Sequence, residues 1–166
     1  MERKIVYPLD QVLSVKQKRL EEAEREVSKR KKALEEEEKR LEKCNKERQK
    51  VLDHYNEKKA QLIEKLDTGT TPNEIKWINR YLDVVKDKLT EEDKKVNAQK
   101  EQVDRANMEL QKAKSMWKQR FKELEKMETH KEHWLKDAKM ELHKEITKEQ
   151  DELGSIMFIS KRARGN

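Results

Sequence analysis

Apolar residues recur at every seventh position in two long series, separated by a short polar break. The first runs Leu13, Leu20, Val27, Leu34, Leu41, Arg48, Tyr55, Leu62, and only Arg48 interrupts it. The second runs Ile75, Leu82, Leu89, Val96, Val103, Leu110, Trp117, Leu124 without a gap. A repeat of seven held this long predicts a left-handed coiled coil, because on a straight helix the seam would rotate out of the interface. The predicted fold is all-α: two long helices in an antiparallel coiled-coil hairpin, the second helix longer and overhanging the first.

The break supplies the hairpin. In Leu66-Asp67-Thr68-Gly69-Thr70-Thr71-Pro72-Asn73-Glu74, Gly69 can take the left-handed conformation that ends a helix. Thr71 is placed to cap the next one, with Pro72 at its first position and Glu74 completing a capping box. So short a connection makes the helices antiparallel, and folding at Thr68/Gly69 pairs residues whose numbers sum to about 137. Leu62 then meets Ile75, Tyr55 meets Leu82, Leu41 meets Val96, Leu20 meets Trp117 and Leu13 meets Leu124. The expected organisation is one elongated domain over 1–166, with helix 1 at about 9–66, a turn at 67–72, helix 2 at about 73–159 and a basic tail at 160–166.

A second seam on helix 2 runs Ile78, Val85, Glu92, Gln99, Ala106, Ala113, Arg120, Met127, opposite mainly Lys59, Leu52, Asn45 and Glu38. This predicts tight packing near the turn and polar layers in the middle. If helix 1 starts near Pro8–Gln11, its partner seam is used up by about Leu124–Met127. Yet Trp134, Leu135, Ala138, Leu142, Ile146, Leu153 and Ile156 follow. Leu124 to Leu135 spans eleven residues where two heptads would span fourteen, an offset that unwinds a supercoil. Some thirty residues, roughly 45 Å of helix, are thus expected to lack a partner within the chain. Trp134, Leu135, Ala138, Leu142, Ile146 and Leu153 are the candidate contacts there, for another protein or for a second copy in an antiparallel dimer. Trp77, Tyr81 and Val84 form a further candidate surface. They follow helical spacing on the face away from Ile75, Ile78, Leu82 and Val85, and are expected not to reach helix 1.

Composition excludes a rounded core: 46% of residues are charged, 33% apolar and 5% aromatic. With two prolines and three glycines, it equally disfavours a disordered chain. The 41 basic and 35 acidic residues interleave to a net +6. Pairs such as Glu35–Lys39 read as a solvated helix face, not a nucleic-acid surface. Cys44 is the single cysteine and fits a reducing compartment. No apolar stretch follows the charges at the start, and Ile156–Ile159, the longest apolar run, is too short to span a bilayer. A soluble cytoplasmic monomer is expected.

Catalytic residues, metal ligands and cofactors are all predicted absent. His130 and His133 lie three apart but lack a third ligand, and a hairpin offers no dry pocket in which carboxylates would shift.

Several local words carry a family resemblance. They are Tyr7-Pro8-Leu9 with Val12-Leu13-Ser14-Val15-Lys16, Asp67-Thr68-Gly69-Thr70-Thr71 at the turn, and Glu92–Glu101. His130-Lys131-Glu132 with Trp134, then Lys148-Glu149-Gln150-Asp151-Glu152-Leu153-Gly154, complete the set. In this order, over nearly the whole chain, they resemble the type III secretion stalk proteins of the YscO/FliJ family, its chlamydial YscO homologues above all. Asn56-Glu57 and Trp77-Ile78-Asn79 are also similar to the flagellar branch, at a slightly different loop length.

The resemblance implies a non-enzymatic stalk like the gamma subunit of rotary ATPases. The end carrying both termini would enter and activate a hexameric secretion ATPase, placing Trp134 to Leu153 in the ring. The turn would reach the export gate at the inner membrane, with Trp77, Tyr81 and Val84 as contacts, and some members also bind secretion chaperones. A generic coiled-coil scaffold that self-associates is the competing reading.

Overall fold

The computed structural model describes residues 5–165; Met1–Lys4, and Asn166 at the end of the expected basic tail, lie outside them. Two helices account for nearly all of the described chain: α1, Asp10–Thr68, and α2, Pro72–Arg164, of 59 and 93 residues. They form the antiparallel hairpin with the longer second helix that the heptads predict.

The connection is tighter than expected, residues 69–71. α1 continues through Thr68, whose hydroxyl donates to the Glu64 carbonyl at 3.0 Å. Gly69 then takes a φ of 90°, where a side chain would be strained. The capping box forms as read: the Thr71 amide donates to the Glu74 carboxylate at 3.3 Å, and the Glu74 amide donates to the Thr71 hydroxyl at 3.4 Å. At the far end, residues 160–164 are helical, not a frayed tail. No breaker stands there, Lys161, Arg162 and Arg164 complement the negative helix end, and a lone Gly154 costs only about 1 kcal/mol.

Internal contacts group the chain into two units, Arg25–Ser115 and Met1–Glu24 with Met116–Asn166. Each layer of a hairpin touches only the layers beside it, so contacts stay local, as in repeat proteins.

In the unit Arg25–Ser115, which carries the turn, α2 buries Ile78, Leu82, Val85, Val96, Leu110 and Ala113. Against them α1 half-buries Val27, Leu34, Leu41, Tyr55 and Leu62. Cross-helix pairs give the register directly: residue numbers sum to 135 for His54–Tyr81, 136 for Glu37–Gln99 and 141 for Arg48–Asp93. The second seam of α1 departs from expectation. Arg30, Glu37, Cys44, Val51 and Lys58 are half-buried, while of the expected positions Leu52 is half-buried and Glu38, Asn45 and Lys59 are exposed. The expected positions lay four residues after each heptad position, whereas the seam places them three after.

The polar middle is present and satisfied. Buried Glu92 accepts from the Lys95 ammonium at 2.8 Å. The Gln99 amide donates to the Glu37 carboxylate at 2.6 Å and to its backbone carbonyl at 3.1 Å. Arg48, the interruption in the first series, donates to Asp93.

In the other unit, Leu13 and Leu124 are buried, and Leu20 and Trp117 half-buried. Lys16 meets Glu123 and Asp10 meets Lys131, each at 2.6 Å, pairs that sum to 139 and 141. α1 therefore begins opposite Lys131, and α2 runs on for thirty-three residues, roughly 50 Å at 1.5 Å per residue. Among the described residues no helix is long and apolar enough to cross a membrane.

Candidate functional site

The overhang starts later than the sequence leads one to expect. Trp134 and Leu135 should pack on nothing within the chain, but Tyr7, three residues before α1, is 4% exposed and sits against this part of α2. Its ring centroid lies 5.5 Å from that of Trp134, edge-on, and 5.8 Å from that of His130. Its hydroxyl shares a hydrogen bond of 2.6 Å with His130 Nδ1, and the Lys131 ammonium lies 5.7 Å from its ring centroid. The residues before the helix thus cover about one further turn of α2. His130, considered above as half of a metal pair, is a partner of Tyr7 instead. Among the described residues no group of three or more potential ligands could hold a metal ion.

Exposure then rises along α2. Trp134, Leu135, Ala138 and Leu142 are half-buried, and Ile146 is exposed. Leu153, Ile156, Met157, Phe158 and Ile159 lie between 61% and 69% exposed. Consecutive helical residues point about 100° apart, so the four from Ile156 to Ile159 face every side of the helix. They form an apolar collar, not a stripe. The sequence reading weighed this run as a membrane span and counted only Ile156 toward the overhang; its signal was the lack of any polar residue in one whole turn.

On the turn-bearing unit, Trp77 and Val84 are 67% and 65% exposed, as expected. Tyr81 is a correction, because it does reach α1. Its hydroxyl lies 2.8 Å from His54 Nε2, and the two rings meet edge-on at 5.9 Å. Position 81 precedes the buried seam residue Leu82, so its long side chain can lie along the flank of the interface. Trp77 stacks on Tyr81 at 5.8 Å with the planes 10° apart. The Tyr81–His54 bridge divides a shallow groove between the helices. On one side Lys58, Gln61, Lys65, Trp77 and Ile78 line it. On the other are Glu47, Lys50, Val51, Val84, Val85 and Lys88. The lysines of this groove carry no signal in the heptad pattern, and sequence reasoning missed them.

The carboxylates pulled below their ordinary range owe it to surface partners: Glu123 to the Lys16 hydrogen bond, Glu42 to Lys46, Glu91 to Lys94, Glu109 to Lys112, and Glu74 to the Thr70 hydroxyl. These are ion pairs and a cap, which hold geometry without poising a proton.

Comparison with known proteins follows the same line. A search of the curated proteins finds no match. Among solved structures, the chain is similar to one described as that of a YscO homologue, CT670, from Chlamydia trachomatis. The two share 43% identity over 93% of this chain and 95% of that one, with a TM-score of 0.89. The YscO-like family matches residues 4–164. The hairpin, its unequal helices and its sequence words thus have one source, and the chain belongs to the YscO-like family of type III secretion proteins.

Proposed function

We propose that the chain is a non-enzymatic stalk of a type III secretion apparatus, cytoplasmic and peripheral to the inner membrane. It binds and activates the hexameric secretion ATPase and links it to the export gate, with secretion chaperones as further partners. The observation that carries this reading is the collar at Ile156–Ile159. A helix apolar on all sides demands enclosure. A single docking face would leave half of it in water, whereas a ring of subunits surrounds it. Along the candidate set Trp134, Leu135, Ala138, Leu142, Ile146 and Leu153, the weight moves toward Ile146 and Leu153, because Tyr7 already covers Trp134. The gate contact falls to Trp77, Tyr81 and Val84, with Tyr81 held in place by His54.

The test adds the purified full chain to its cognate ATPase. ATP turnover and the hexamer fraction should both rise, and Ile156→Ser with Ile159→Ser should abolish the rise. No change in either quantity at saturating chain sinks the reading. The same exposed collar also favours self-association into a scaffold. Light scattering across a concentration series decides between them, since a stalk stays monomeric and a scaffold grows.

A further inference from the structure

We propose that the end of α2, from Leu153 to Arg164, inserts into the interface of an anionic lipid membrane, its apolar collar toward the acyl chains and its basic residues at the headgroups. The proposal goes beyond the stalk reading and does not need it. It describes the chain outside the ATPase ring, because ring and lipid would enclose the same turn of helix.

Charge changes sign along α2 just before the collar. From Glu141 to Glu152 there are five acids against Lys144 and Lys148. From Leu153 onward there is no acid, and Lys161, Arg162 and Arg164 follow, all exposed. An anionic surface attracts this end of the helix and repels the stretch before it, so contact is confined to the last three turns.

The collar supplies the second attraction. A helix lying in a membrane interface sinks about 5–10 Å, against a helix diameter of roughly 10 Å. Lipid therefore reaches around most of the turn, which suits Ile156, Met157, Phe158 and Ile159 facing every side and exposed. Lys161, Arg162 and Arg164 can lay their aliphatic stems along the apolar layer and lift their charges to the phosphates. Four apolar residues are too few to span a bilayer, and among the described residues no helix qualifies as a span, so the contact is interfacial. One apolar anchor or one basic cluster binds marginally; together they hold.

A hinge stands where the charge changes. A Cβ added at Gly154 would meet nothing within 4 Å. Beside it, the Ser155 hydroxyl donates to the Asp151 carbonyl at 2.8 Å, a back-bond that bends helices. Gly/Ser pairs are common kink sites. The end of α2 can thus tilt onto a surface while the acidic stretch stays clear of it. A nucleic acid fits less well, because single strands take aromatic platforms as well as cations, and this end offers Phe158 alone among aliphatic side chains.

The test mixes the full chain with phosphatidylcholine vesicles holding about 30% phosphatidylglycerol and separates bound from free chain by flotation. The chain should float with these vesicles and stay behind with pure phosphatidylcholine. The triple variant Lys161→Gln, Arg162→Gln, Arg164→Gln should lose affinity on the order of a hundredfold, and Ile156→Ser with Ile159→Ser on the order of tenfold or more. Phe158→Trp adds a reporter, whose emission should be quenched by lipids brominated on the acyl chain. The parent chain should not be quenched, since Trp77, Trp117 and Trp134 precede the collar by more than twenty residues. Equal flotation with neutral vesicles, indifference to the charge substitutions, or a Phe158→Trp reporter left bright would each overturn the proposal. So would capture of an oligothymidine in preference to vesicles, or growth in light scattering with no vesicle bound, which would assign the collar to a nucleic acid or a second copy. ATPase assays without lipid keep the stalk reading separate. Activation without flotation would end this proposal alone, and flotation without activation would end the other.

Discussion

Tyr7 and His130 share a hydrogen bond of 2.6 Å that ties the residues before α1 to the point where α2 leaves its partner. Tyr7 is among the most buried residues of the described chain, although it lies outside both helices. Its ring fills the angle between His130 and Trp134. Tyr7→Ala should therefore cost about 2–4 kcal/mol in urea unfolding, the range for deleting a buried large side chain. Tyr7→Phe keeps the ring and should cost about 1 kcal/mol, the share of one hydrogen bond. Equal costs for the two variants would show that the ring packing contributes nothing.

Trp134→Ala is expected to lower stability by about 1–2 kcal/mol, because it removes an edge-on aromatic pair as well as half-buried area. Ile156→Ser with Ile159→Ser should change stability by less than about 0.5 kcal/mol per site, as exposed positions do. Thermal unfolding followed by circular dichroism checks both. A collar double variant that melts markedly early would mean that the collar packs within the chain.

Glu92 occupies a seam position and is buried, with Lys95 as its ion-pair partner. Burying a charge where an apolar residue would fit costs desolvation that its partner repays incompletely. Glu92→Leu should leave the fold intact and raise its stability by roughly 1–2 kcal/mol. A drop in melting temperature would assign Glu92 a structural need beyond this ion pair.

Acid should loosen the hairpin in a defined window. Glu123 is held below its ordinary pKa by the Lys16 hydrogen bond first, and Glu74 by the Thr70 hydroxyl and the Thr71 amide. A depressed carboxylate contributes stability that is complete above the unfolded value of about 4.3 and is lost as pH falls through the folded one. Stability should be level from neutral pH to about 5 and decline below about 4.3. Lys16→Met should flatten part of that decline, read by urea unfolding at several pH values. An unchanged acid limb in this variant would remove Lys16 from the explanation.

Tyr81→Phe should cost about 1 kcal/mol through its hydrogen bond to His54, with the Trp77 stack kept. A loss of several kcal/mol would mean that the bridge, not the seam, holds this part of the hairpin.

The heptads, the capping box and the single positive-φ glycine were legible in the sequence because each is local or strictly periodic. Residues seven apart must share a face, and Gly69, Thr71 and Glu74 act within one turn of chain. From these alone followed the all-α class, the antiparallel direction and a register that cross-helix pairs place within a few residues of the expected sum. Three features were decided only by tertiary structure. Which of two adjacent positions on α1 fills the second seam depends on how the helices face each other, so Glu37 and Cys44 are half-buried where Glu38 and Asn45 were expected. The reach of Tyr81 to His54 depends on side-chain length across the flank, which a helical wheel discards. The cover that Tyr7 gives Trp134 joins residues more than a hundred positions apart through a segment with no periodicity to announce it. Periodicity records which faces are apolar; only the folded chain determines what each face meets.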